Sequence, residues 1–178
     1  MITLARFLIT SILLLLLSCN NEPSLQKYFV ENTENKDFMA VDLTPKMLNI
    51  KSDKLSVSQK EALASFEKIN VLAFKANDKN KVQFETEKKK IVNILKDKKY
   101  QELMKFGSGS AGAQISFVGE DEHIEEFVIF GNKKENGFAV VRVLGKDMNP
   151  TYIMEMMSIL KDSKIDMEQL KPLQELLK

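Results

Sequence analysis

The chain has 178 residues, 26 of them Lys or Arg and 25 Asp or Glu, for a formal net charge of +1. That balance lacks the basic excess that draws a protein onto nucleic acid, and it gives no polybasic pull toward anionic lipid. A single cysteine excludes an intrachain disulfide framework, and the lack of tryptophan argues against carbohydrate-stacking platforms.

The first element is a leader. Arg6 and the α-amino group make a small positive start, and Phe7 to Leu17 is apolar apart from Thr10 and Ser11. A secretory core needs roughly 7–15 apolar residues, whereas a spanning helix needs about 20. The stretch fits the first. Leu16-Leu17-Ser18-Cys19 then resembles the bacterial lipobox, with leucine three before the cysteine and a small residue just before it. The resemblance implies a diacylglycerol on the Cys19 sulfur, cleavage between Ser18 and Cys19, and acylation of the new amine. Each buried CH₂ contributes about 0.8 kcal/mol, so two or three chains hold far longer than one. Asn20 and Asn21 stand where some inner-membrane lipoproteins carry aspartate. They favour the outer membrane, on its periplasmic face. The expected organisation is a signal peptide over 1–18, a short tether over 19–24 and a single α+β domain over 25–178. Arg6 leaves with the leader, so 25 basic and 25 acidic residues remain.

In the mature chain, Leu25, Tyr28, Phe29 and Asn32 share a helical face, which predicts a short helix over roughly 24–34. Phe38–Leu43 alternates as a strand with Met39, Val41 and Leu43 on one side. Thr44-Pro45 has the chemistry of a helix start. Ser58 and Glu61 have capping-box spacing and predict a helix that buries Ala62, Leu63 and Phe66. Ile69–Phe74 is almost continuously apolar, as in a strand covered on both faces. Residues 80–98 form the clearest helix, with Phe84, Ile91 and Leu95 on one stripe and lysines mostly outward.

Beyond Tyr100 the period changes from helix to sheet. Leu103–Phe106, Ala113–Val118, Ile124–Phe130 and Phe138–Leu144 read as successive strands with short turns, including Asn136-Gly137, and short turns imply antiparallel hairpins. Asn149-Pro150 repeats the capped start of a helix whose stripe is Ile153, Met156, Met157 and Leu160. A last helix is expected over roughly Asp166–Leu177. The fold class is α+β: an antiparallel or mixed sheet of five to six strands packed by helices.

Several stretches carry a family likeness. They are Asp42-Leu-Thr-Pro-Lys-Met-Leu48, Ile69–Phe74, Lys99-Tyr-Gln-Glu-Leu-Met-Lys105 and the hairpin strands ending in Ala139-Val-Val-Arg-Val-Leu-Gly145. Together they resemble the envelope lipoproteins of Bacteroidota grouped as domain of unknown function 4252. The resemblance implies an envelope location and this architecture, and it supplies no active site.

The remaining candidates read as structure. His123, the one histidine, lies in the acidic segment Glu120–Glu126, where no activated nucleophile accompanies it. The five carboxylates of that segment lack the alternating spacing and glycine of a calcium loop, and read as a solvated turn that blunts a strand edge. Zinc has too few nitrogen and sulfur donors. Gly107–Gly112 lacks the Gly-Lys-Ser/Thr of a phosphate loop and the Gly-x-Ser-x-Gly of a nucleophile elbow. Tyr152, Met154, Met156, Met157 and Met167 suggest a copper(I) thioether set, but Met156 and Met157 already belong to the core stripe. The lysines of 75–105 read as a solvated face, with headgroup docking as the alternative.

No catalytic residue, metal or cofactor is therefore expected. The expected function is that of a non-enzymatic binding or protein-interaction module. Its partners would be the bilayer, through acylated Cys19, and an envelope protein. An enzyme would need a carboxylate or Ser/Lys site in a pocket of convergent polar groups. A carrier of apolar ligands would need a cavity between sheet and helices left unfilled by Phe and Met.

Overall fold

The computed structural model describes residues 23–162 apart from 49, 51 and 109. Ser18, Cys19 and the helix expected over 166–177 lie outside the described residues. The chain order is α1 (Leu25–Asn32), β1 (Phe38–Leu43), two 3₁₀ turns (Pro45–Leu48 and Ser52–Lys54), α2 (Val57–Ser65) and β2 (Phe66–Lys75). There follow α3 (Lys81–Ile94), β3 (Gln101–Ser108), β4 (Ala111–Glu120), β5 (His123–Lys133), β6 (Gly137–Met148) and α4 (Pro150–Asp162).

The six strands form one open sheet in the order β1-β2-β6-β5-β4-β3, every neighbouring pair antiparallel. The mixed alternative is thus excluded for these strands. Four consecutive strands connected by tight turns supply β3 to β6, while β2 reaches across to pair with β6.

Helices cover both faces. Leu72, Phe74, Val128, Phe130, Phe138 and Val140 point to one side, against Leu25, Tyr28 and Phe29 of α1 and Phe84, Ile91 and Ile94 of α3. Ile69, Val71, Phe127 and Val143 point to the other, against Ala62 of α2 and Ile153 and Met156 of α4. This two-sided cover explains why Ile69–Phe74 reads as continuously apolar. On the first side, Phe74 and Phe138 stack at 5.5 Å with 9° between rings, and Phe38 meets Phe74 edge-on at 5.2 Å. Phe84 and Phe130 close the group against Phe138. Each fully buried ring contributes roughly 1.5–3 kcal/mol.

The boundaries follow cap chemistry. Ser24 accepts from Lys27 N and starts α1. The capping box of α2 is Ser56 with Gln59, not Ser58 with Glu61, because Ser56 accepts from Gln59 N while the Gln59 side chain answers Ser56 N. α2 ends at Ser65, so Phe66 is the first residue of β2 rather than part of the helix. A bulge between Phe66 and Lys68 turns its ring to the α2/α4 side. Pro45 opens a 3₁₀ turn, whereas Pro150 opens a 13-residue α-helix after Asn149 accepts from Tyr152 N. On α4, Ile153, Met156 and Ile159 are the buried positions among the described side chains.

Candidate functional site

Under α1 the sheet carries a pair of opposite charges. Arg142 on β6 and Glu126 on β5 form a two-pronged bond, Nε to Oε1 at 2.6 Å and Nη2 to Oε2 at 3.2 Å, with both residues buried. The Phe29 ring lies 5.5 Å from the guanidinium carbon. Asn70, opposite Arg142 in register, donates to Asp42, which also pairs with Lys68 at 2.8 Å. Burial alone would raise the Asp42 pKa, but the hydrogen bonds from Lys68 and Asn70 outweigh it and hold the carboxyl below its usual value.

A second polar link joins α1 to α3. The Tyr28 hydroxyl donates to Glu87 at 2.7 Å, and Lys90 bonds the other carboxylate oxygen at 2.7 Å. Burial, then the bond and charge of Glu87, push the Tyr28 phenol far above its ordinary pKa. Leu25 N–H, an unpaired donor of the first helical turn, is met by the Tyr100 hydroxyl at 3.4 Å. These contacts hold α1 on the sheet.

His123 lies at the start of β5, exposed, with Nδ1 2.9 Å from Asp147 Oδ1. The Asp147 hydrogen bond and charge raise its pKa. Of the five acidic residues around it, Glu126 is not solvated as the sequence suggested: it turns inward to Arg142. Alternation along β5 places Glu126 on the same side as Val128 and Phe130, and that signal was available. Arg142 is the only arginine beyond Arg6 in a chain rich in lysine, which is a second signal, since buried carboxylate pairing selects the planar fork. Met154 is 64% exposed and Met156 is 4% exposed, so α4 sets these sulfurs on opposite sides. Met157 is outside the described side chains and Met167 outside the described residues. Among the described residues no three His, Cys, Asp or Glu side chains gather as a metal site. Of the Gly107–Gly112 segment, Gly107 and Ser108 end β3 and Ala111 and Gly112 begin β4, paired in register, with Gly107 at φ 65.

Three open clefts mark the surface. One of about 630 Å³ runs between α1 and α3 and is lined by Lys27, Tyr28, Glu31, Lys90 and Asp97. One of about 340 Å³ lies by Gly131, Asn132, Lys133 and Ala139; the Asn132 amide nitrogen is enclosed without a partner among the described residues. One of about 580 Å³ is lined by Asp121, Glu122, Asp147, Asn149 and Tyr152. The space between sheet and α1/α3, where an apolar ligand would sit, is occupied by the phenylalanine rings described above.

The α2/α4 side of the sheet is covered unevenly. Beyond the row Leu43, Ile69, Val143, Phe127 and Phe117 lies a second row, Val41, Val71, Val141, Ile129, Ile115 and Met104, in register across all six strands. A third row runs Met39, Ala73, Ala139, Gly131, Ala113 and Phe106. Ile115, Ile129, Ala113, Gly131 and Ala139 are partly exposed and belong to neither buried cluster. A Cβ placed on Gly131 would meet nothing within 4 Å. Met104 and Phe106 end the rows on β3 at 43% and 54% exposure. Apolar side chains in register on an open sheet, with the exposed Lys133 at the border of the same face, have the composition of a contact surface.

These features define a class: a single α+β domain on a six-stranded antiparallel sheet, with its buried charges spent internally and an apolar band left at the surface. Within that class, the chain belongs to the family described as a domain of unknown function (DUF4252), whose model matches residues 28–156. No curated protein and no solved structure matches the chain.

Proposed function

We propose that this protein is a lipid-anchored component of the bacterial envelope that acts by holding another protein, without catalysis. The observation that carries the binding role is the apolar band of Ile115, Ile129, Ala113, Gly131 and Ala139 on the open sheet, ending in Met104 and Phe106. Side chains of this kind cost free energy in water, and a partner that covers them recovers it at about 25 cal/mol per Å². The lipobox-like Leu16-Leu17-Ser18-Cys19 supports the anchor. Ser24 caps α1 and Leu25 is fully buried, so the linker from Cys19 reaches only about 17 Å when extended. The domain then works close to the bilayer, on the periplasmic face of the outer membrane.

Two measurements test the two halves. Labelled palmitate enters the wild-type chain and is lost in Cys19→Ala; equal labelling of both overturns the anchor. A photo-crosslinking residue at Ile115 in intact envelopes gives a defined adduct that Ile129→Lys abolishes, whereas the same probe at Val82, 83% exposed on α3, gives none. Adducts indifferent to Ile129→Lys overturn the binding surface.

A further inference from the structure

β3 closes one end of the sheet, and its outer edge pairs with no strand among the described residues. It nevertheless exposes Leu103, Met104 and Phe106 at 38%, 43% and 54%. Natural edge strands usually avoid such a run, because unpaired backbone beside apolar side chains invites a further strand.

One irregularity selects the strand that fits. The register of β3 on β4 slips between Glu102 and Met104, leaving Leu103 as an extra residue. As a result Glu102, opposite Ser116, and Lys105, opposite Gln114, lie on the same face, the one that carries Arg142. Gln101, opposite Phe117, and Phe106, opposite Ala113, share the other face. A regular strand has one residue between same-face neighbours, so it cannot match the two that separate Glu102 from Lys105. A second copy of β3 carries the same surplus at the same place.

We propose that β3 pairs antiparallel with β3 of a second copy about a two-fold axis between Leu103 and Met104. Directly opposite residues in an antiparallel pair share a face. Glu102 then meets Lys105 of the second copy, twice by symmetry, and Gln101 meets Phe106. Leu103 meets Met104 of the second copy on either side of the axis, bulge against bulge. Within one chain Glu102 and Lys105 make only a 4.0 Å contact, with side chains 51% and 60% exposed, so both are available across the seam. The two sheets become one, and the apolar rows that end in Met104 and Phe106 run on toward those of the second copy. This proposal stands apart from the anchor and from any other partner.

The test uses the full chain in density-matched detergent, with sedimentation across a wide concentration range. The wild type is expected to dimerise. Glu102→Lys and Lys105→Glu each set like charges against one another twice, and each is expected to weaken the dimer by roughly tenfold or more. An equimolar mixture of the two variants restores opposite charges at both contacts and is expected to form a heterodimer. The double variant Glu102→Lys/Lys105→Glu is expected to recover the homodimer. Urea unfolding of each variant at the wild-type midpoint excludes misfolding as the cause. A monomeric wild type overturns the proposal. Dimers unmoved by the single charge reversals, or not regained on mixing, overturn it equally.

Discussion

Arg142 and Glu126 sit on adjacent strands of the sheet, joined by two bonds, with the ring of Phe29 beside the guanidinium. Removing one partner leaves the other charge without a counter-ion under α1. Glu126→Ala is expected to destabilise the fold by about 3–5 kcal/mol, whereas Glu126→Leu with Arg142→Met costs far less, since no charge is then buried. Urea unfolding of the single and double variants decides; equal losses in both would show that packing, not charge, is at stake.

Tyr28 gives a second expectation. Tyr28→Phe removes the donor to Glu87 and is expected to cost about 1–2 kcal/mol near neutral pH. The same bond sets a pH dependence. The fold raises the Tyr28 pKa above its ordinary 10.0, so folding favours the protonated phenol. That contribution is complete below pH 10.0 and is lost as the pH rises beyond it. The alkaline decline should therefore be shallower in Tyr28→Phe. A residual slope remains from Tyr100, whose pKa burial also raises. Identical slopes in the two proteins would contradict the assignment.

His123 titrates in the opposite part of the scale. Asp147 raises its pKa above 6.5, so any stability from the pair is present at low pH and fades as the pH climbs through the raised value. Asp147→Asn should return the His123 midpoint toward 6.5, read by NMR of the ring protons. Asp147 has φ 51, a conformation that asparagine tolerates, so the β6 backbone is retained. A midpoint unmoved by the substitution would remove Asp147 as the cause.

Gly137 closes the β5–β6 turn at φ 124, and a Cβ there would collide with the Phe74 carbonyl. Gly137→Ala is expected to cost roughly 1–3 kcal/mol through backbone strain. Gly131→Ala, with open space above it, is expected to be close to neutral or slightly stabilising. Thermal unfolding of the two variants side by side checks the contrast.

The elements were legible wherever period and cap chemistry agreed. Phe38–Leu43, the α3 stripe and the four hairpin strands all lie where alternation and turn residues place them. The errors fall at junctions. Ser56 and Ser58 both have capping-box partners three residues on, and only packing decides between them. Phe66 continues the apparent stripe of α2, and only the bulge at Lys68 makes it a strand residue of the α2/α4 side. Glu126 was hidden by its acidic neighbours, since a turn and the strand that follows share composition but not exposure. The apolar band was beyond reading. Ile115, Ile129 and Val141 look like core in sequence, and their partial exposure depends on how far the helices extend over the sheet.

The pairing of β2 with β6 also governs assembly in time. Val71 and Val141 are opposite one another although 69 residues separate them along the chain, so β1 and β2 cannot complete their sheet until β6, the last strand among the described residues, exists. Contacts so distant in sequence are slow to form. A chain delivered amino terminus first thus keeps β1 and β2 without their neighbour until the β5–β6 hairpin arrives.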